Sequence, residues 1–231
     1  MTVSCLTQDA ADVPADLAWL TPAEHERLAG FRMPSRRQDW LLGRWTAKRA
    51  LGPCLGTPAA PLPPDRIEIR AAEDGAPEPF VDGAPVPWTI SLSHRAGRGL
   101  CAVAPGAAML GCDLECIEPR DAGLVADFFA PAEQALVRAA APPDRVRLVA
   151  LLWSAKESVL KALRTGLRED PRDVVIAPGT AQPDAHWHPL TAVHAPSGRD
   201  FAGWWCDAGG WVFTLIAAAP PRHDAIRRNP A

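Results

Sequence analysis

Trp153-Ser-Ala-Lys-Glu-Ser-Val-Leu-Lys-Ala-Leu-Arg-Thr-Gly166 reads as the last turns of a helix stopped by a glycine. Trp153, Glu157 and Lys161 are spaced four apart, and side chains at i and i+4 sit one above the other on a helix, so an aromatic ring, a carboxylate and an ammonium share one face. That face is the candidate reaction surface. Taken alone, Glu157 with Lys161 is also the ordinary ion pair of a solvated helix, worth about 0.2–0.5 kcal/mol. A second acidic stretch upstream separates the two readings.

In Gly111-Cys-Asp-Leu-Glu115 the acids are two apart, and on a strand that spacing puts Asp113 and Glu115 on one face, with Leu114 turned to the core. Neighbouring carboxylates repel. If Glu157 joins them, each close pair costs about 4 kcal/mol at 4 Å and an effective dielectric of 20, unless a cation or a shared proton relieves it. A bound divalent ion is the simplest relief. Asp113, Glu115 and Glu157 would all offer oxygen, with no histidine or cysteine at metal spacing beside them, which suits magnesium or manganese rather than zinc. Magnesium held by few protein ligands completes its shell with water and phosphate oxygens, so the implied substrate is a phosphate compound.

Working outward, the chain shows two similar halves. Leu20-Thr-Pro-Ala-Glu24 is a helix start, with Thr21 as N-cap, Pro22 at the first helical position and Glu24 closing a capping box; the helix should run to about Gly30. Pro34 with Ser35 opens a second helix in which Trp40, Leu41, Trp45, Lys48 and Leu51 keep helical spacing. After the proline-rich loop from Pro53 to Pro64, Arg66–Arg70 alternates as a strand, and Trp88–His94 with Leu100–Ala104 reads as a hairpin. A new strand, Met109–Glu115, opens the second half. Asp127-Phe-Phe with Pro131-Ala-Glu133 starts one helix, and Asp144 caps the long helix of the opening stretch. Strands follow at Asp173–Ile176, around Trp187, at Phe201–Cys206 and at Trp211–Ile216, the last two joined by Gly209-Gly210.

Trp45-Thr-Ala-Lys48 matches Trp153-Ser-Ala-Lys156, and each precedes a strand-rich segment ending in Ala-Pro. The expectation is an α+β fold of two pseudo-symmetric α/β subdomains, residues 1–106 and 107–231. The tail from Arg222 is expected to be loose and basic.

Composition narrows the class. At 231 residues and 48% hydrophobic the chain can bury a real core, and a net charge of −3 argues against a surface built for nucleic acid. Six cysteines without a C-x-x-C pair suggest neither a zinc site nor a disulfide framework, and fit reduced thiols in the cytoplasm. The start lacks the basic-then-apolar pattern of a signal peptide, and no apolar run approaches the roughly 20 residues of a membrane span. No G-x-S-x-G, P-loop or G-x-G-x-x-G pattern is present, which weakens hydrolase and ordinary kinase readings.

A phosphate needs more than a metal. Arg36, Arg37, Arg44 and Lys48 form one basic helix flank, and Ser91-Leu-Ser-His94 offers a hydroxyl and an imidazole at a strand end. Ser93 as a nucleophile with His94 as its base is disfavoured, because adjacent strand residues point to opposite faces.

Gly111-Cys-Asp-Leu-Glu115 followed by Trp153-Ser-Ala-Lys-Glu-Ser-Val-Leu-Lys161 resembles the paired signature, G-x-D-x-E and W-x-x-K-E-x-x-x-K, of the surfactin-type 4′-phosphopantetheinyl transferases. Leu20-Thr-Pro-Ala-Glu24 with Phe31 and Arg36-Arg37, Gly75-Ala-Pro77 before Phe80, Ser91-Leu-Ser-His94, Asp127-Phe-Phe129 and Thr165-Gly-Leu167 extend the likeness over most of the chain. The resemblance implies a pseudo-dimeric fold with coenzyme A and magnesium bound at an active site in the cleft between the halves. It implies transfer of the 4′-phosphopantetheine arm to a serine of an apo acyl or peptidyl carrier protein, with release of adenosine 3′,5′-bisphosphate. By position, Asp113, Glu115 and Glu157 would hold the metal. Glu157, alone or through a metal-held water, would take the serine proton, and Lys161 would neutralise or protonate the departing phosphate. Ser93 and His94, with Arg37, Arg44 and Lys48, would hold the adenosine-side phosphates.

One departure concerns Gly75-Ala76-Pro77, where many relatives carry a lysine between glycine and proline; Arg95 is a candidate substitute. Cys116 is read as a packed thiol. The duplicated form implies a monomer that serves polyketide, nonribosomal peptide or siderophore assembly. The rivals are a magnesium-dependent phosphohydrolase acting on coenzyme A or a nucleotide, and a non-catalytic module that binds coenzyme A or a carrier.

Overall fold

Thr21 and Glu24 hold the first helix by reciprocal bonds, the Glu24 amide donating to the Thr21 hydroxyl at 3.3 Å and the Thr21 amide to the Glu24 carboxylate at 3.1 Å. This is the capping box that the sequence predicts. The structure is a computed structural model describing residues 2–180 and 186–221, so the basic tail expected from Arg222 lies outside the described residues. The chain is a mixed α+β protein with two compact units, divided after Ala108.

The first unit contains β1 (Ser4–Asp9), α1 (Pro22–Ala29), α2 (Pro34–Leu55), β2 (Ile67–Ala71), β3 (Pro77–Val81), β4 (Ala84–Pro85), β5 (Trp88–Arg95) and β6 (Arg98–Pro105). Its sheets run β1-β6-β5 and β2-β3-β4, all neighbours antiparallel. Helix α2 buries Ala47 and Leu51 against Ile67, Ile90 and Val103. It continues to Leu55 through Pro53, past the expected end at Leu51. A proline this close to a helix end removes one donor and leaves the last turn intact.

The second unit contains β7 (Gly111–Cys116), α3 (Ala122–Phe128), α4 (Pro131–Ala139), α5 (Pro142–Ala162), β8 (Val174–Pro178), β9 (His188–His194), β10 (Arg199–Ala208) and β11 (Trp211–Ile216). One antiparallel sheet is ordered β7-β11-β10-β9-β8, and α5 packs Leu152, Val159 and Leu160 into its core. Gly209 and Gly210, at φ 58° and 82°, make the tight β10–β11 turn that the sequence predicts.

Two helix starts differ from expectation. Asp127-Phe-Phe does not begin the helix of Pro131; Asp127 lies in α3, capped by Asp121, and Phe129 is extended before a separate α4. The residue before a proline avoids the helical region, which forces the break at Ala130. Nor is Asp144 a cap. Pro142 and Pro143 open α5 after Ala141, leaving Asp144 in the first turn, where the proline ring presets the helical φ.

The same buried tie recurs in both units. Glu24, in the first turn of α1, accepts from the Ile69 amide at 3.2 Å and pairs with Lys48, whose ammonium also donates to the Trp19 carbonyl at 2.9 Å. Glu133, in the first turn of α4, accepts from the Ile176 amide at 2.8 Å and pairs with Lys156, which donates to the carbonyls of Pro171 and Val174. Each glutamate thus links a short helix, a long helix and a strand. Among the described residues no helix is long and apolar enough to cross a membrane.

Candidate active site

Gly111 determines how closely β7 approaches α5. A Cβ at Gly111 would lie 1.8 Å from the Ser158 carbonyl oxygen, so only glycine permits this contact. Strand residues two apart share a face, and Asp113 and Glu115 therefore point to the same side, toward α5. The helix is held in rotation by buried hydroxyls: Thr214 Oγ1 lies 2.8 Å from Ser154 Oγ and 2.7 Å from Ser158 Oγ. Thr214 stands opposite Asp113 in the β7–β11 register. Trp153 packs its ring on Phe128, 5.5 Å between centroids.

This rotation brings Lys161 to the acids. Its ammonium donates to Asp113 Oδ1 at 2.8 Å and to the Cys112 carbonyl at 3.1 Å. Burial pulls the lysine pKa down, but Asp113, Cys112 and Glu157 outweigh it and hold the group above its ordinary value, firmly protonated. Glu157 lies one helical turn earlier. Burial raises its pKa above the usual carboxylate range, Asp113 and Glu115 add to the rise, and Lys161 opposes it. Both strand acids act on Glu157 electrostatically, and the surface-pair reading of Glu157 with Lys161 does not describe this helix.

Sequence reasoning missed Arg120. Its guanidinium bonds Glu115 at 2.5 Å, reaches the Cys116 carbonyl at 3.4 Å and is only 15% exposed. It lies in the irregular segment after β7, where no periodicity marks a functional position. An arginine five residues after the second acid was the one available signal.

The expected phosphate-side residues fall in the first unit and fare unequally. His94 is exposed, with Nδ1 3.9 Å from Asp39 Oδ1 on α2, while Ser93 is buried on the opposite face of β5. Arg37 is half-buried near the start of α2. Arg44 stacks on Trp40, 4.9 Å from guanidinium to ring centroid, with Nε 4.0 Å from Glu24. Lys48 does not belong in this set: it is 0% exposed and engaged by Glu24 and Trp19, so its ammonium cannot reach a ligand. Helical spacing showed which residues share a face, not that α1 covers it.

Among the described residues, no three His, Cys, Asp or Glu side chains stand together at metal-ligand distance. Magnesium does not require three. It is held by one or two carboxylates completed by water and phosphate oxygens, and Asp113 and Glu115, on one face and already paired with cations, fit that donor set.

Residues 109–214 match the family model of the 4′-phosphopantetheinyl transferase superfamily, a span that contains Asp113, Glu115, Arg120, Glu157 and Lys161. The 4′-phosphopantetheinyl transferase AcpT of Salmonella typhimurium is 34% identical over 128 residues, 54% of this chain and 58% of that protein. The L-aminoadipate-semialdehyde dehydrogenase-phosphopantetheinyl transferase of Schizosaccharomyces pombe is 26% identical over 184 residues, 69% of either chain. The match to the Salmonella protein thus spans little more than half of its length. A solved holo-(acyl-carrier-protein) synthase from Bacillus anthracis aligns with a TM-score of 0.36 at 20% identity, covering 44% of this chain and 92% of that one.

Proposed function

We propose that this chain is a magnesium-dependent 4′-phosphopantetheinyl transferase of the surfactin type, moving the phosphopantetheine arm of coenzyme A to a carrier-protein serine and releasing adenosine 3′,5′-bisphosphate. The reading is carried by one observation. Lys161 bonds Asp113 where Gly111 lets β7 touch α5, with Glu157 within electrostatic reach of both, inside the segment that matches the superfamily.

Attack at a pyrophosphate needs positioning and neutralised charge more than covalent help. Asp113 and Glu115 would hold the metal, without the third carboxylate expected from Glu157, and a bound magnesium would supply Lewis-acid charge to the phosphate oxygens. Lys161, kept protonated by Asp113, brings a fixed positive charge to the departing phosphate. Glu157 would accept the serine proton; its raised pKa supports this, making it a stronger base than an exposed carboxylate. Arg37 and His94 remain the candidates for the adenosine-side phosphates, with Ser93 and Arg44 behind them. The six unbridged cysteines support a reducing, cytoplasmic setting.

The test is direct. Protein, coenzyme A, magnesium and an apo carrier are incubated, and the carrier mass is read. A gain of one phosphopantetheine arm is expected with at least one carrier from a panel spanning fatty-acid, polyketide, nonribosomal peptide and siderophore assembly. No gain across the panel refutes the reading, and cleavage of coenzyme A without any carrier would make the protein a phosphohydrolase.

A further inference from the structure

We propose that Arg120 competes with the divalent ion for Glu115, so that metal loading requires the guanidinium to leave. This rests on the metal reading above. Glu115 Oε2 and Arg120 Nη2 are in direct contact, both side chains nearly buried, and a divalent ion on Glu115 would stand against a guanidinium a few ångströms away. Two positive groups on one carboxylate repel strongly when screened little by water. Moving one of them away relieves that repulsion.

Arg120 is the one built to move. An arginine designed to stay on a carboxylate uses its fork, with two parallel N–H···O bonds. Arg120 does not: one Nη2 serves Glu115 and makes the 3.4 Å contact to Cys116, while Nη1 is 3.9 Å from Glu118. Its Nε is buried with no hydrogen-bond partner. The backbone that carries it, 117–121, is neither helix nor strand. Lys161 offers the contrast, rooted in α5 and bonded to both the Asp113 carboxylate and the Cys112 carbonyl. The acidic face therefore has one fixed cation and one replaceable one.

Binding of Mn2+ alone, read from the free-ion electron paramagnetic resonance signal without coenzyme A, separates the possibilities. R120Q is expected to bind Mn2+ roughly threefold more tightly than the wild type, the scale of a modest ion pair. The gain should vanish in an E115Q background, since the competition acts through that carboxylate. R120K, unable to make the same contact, should shift in the same direction and stands in if R120Q does not fold by circular dichroism. Affinity equal or weaker in both Arg120 variants overturns the competition while leaving the metal reading intact. Absence of Mn2+ binding in every protein of the set removes the metal reading and the competition together.

Discussion

Lys156 and Glu133 meet at 2.7 Å with both side chains wholly buried. Removing one partner of such a pair leaves an uncompensated charge, at about 3–5 kcal/mol. K156M and E133Q are each expected to lower the unfolding free energy, read from urea curves, by about that amount, and K48M should do the same in the first unit. The double replacement K156M/E133L should recover part of the loss. Wild-type midpoints in the single variants would show that the tie contributes little to stability.

Asp113, Glu157 and Lys161 should behave differently from that pair. E157Q is expected to reduce transfer by about 100-fold or more, the scale of a lost general base, without lowering the urea midpoint. D113N should also abolish transfer but cost about 1–3 kcal/mol, because it leaves the Lys161 ammonium without its carboxylate. Carrier mass and unfolding curves, measured on the same preparations, check both. Retained transfer in either variant removes the assigned roles.

The raised pKa of Glu157 sets a pH dependence. Above the ordinary glutamate value of about 4.3 and below the raised one, the unfolded chain has released this proton and the folded protein keeps it. Stability therefore falls as pH rises through that window and stays lower above it. Urea midpoints in metal-free buffer from about pH 4 to about pH 7 should show the fall in the wild type and lack it in E157Q. Parallel curves for the two proteins would contradict the shift.

Two glycines make opposite predictions. G111A places a methyl group into the Ser158 carbonyl, and forcing β7 from α5 should cost about 3 kcal/mol and abolish transfer. G43A, in α2 with nothing within 4 Å of the added Cβ, should stabilise by about 0.5–1 kcal/mol through helix propensity. Thermal melts distinguish them, and a neutral G111A would mean that the strand can retreat without harm.

Local signals in the sequence were legible, and those that depend on remote partners were not. Thr21, Pro22 and Glu24 announce a helix start because a capping box is complete within four residues. The same Glu24 also binds Lys48 and Ile69, and nothing near it in sequence says so. Lys48 was misplaced for this reason, since periodicity identifies a face before it reveals what covers it. Asp113 and Glu157 were readable because a strand and a helix each have a fixed repeat, and their mutual influence follows once Gly111 closes the gap. Arg120 lay on irregular backbone, where spacing carries no geometric meaning.

The lysine–glutamate tie occurs twice, and the acids once. Asp9 stands opposite Arg98 as Cys116 stands opposite Trp211, so Leu6 and Gln8 hold in β1 the places of Asp113 and Glu115. Arg49 follows Lys48 where Glu157 follows Lys156. The first unit is thus a natural control, a skeleton with the same tie built around a strand whose matching positions, Leu6 and Gln8, carry no carboxylate. Such a skeleton can be rewritten at its reactive positions without being dismantled, and a designer seeking a second acidic face would begin at Leu6, Gln8 and Arg49, leaving Lys48 and Glu24 untouched.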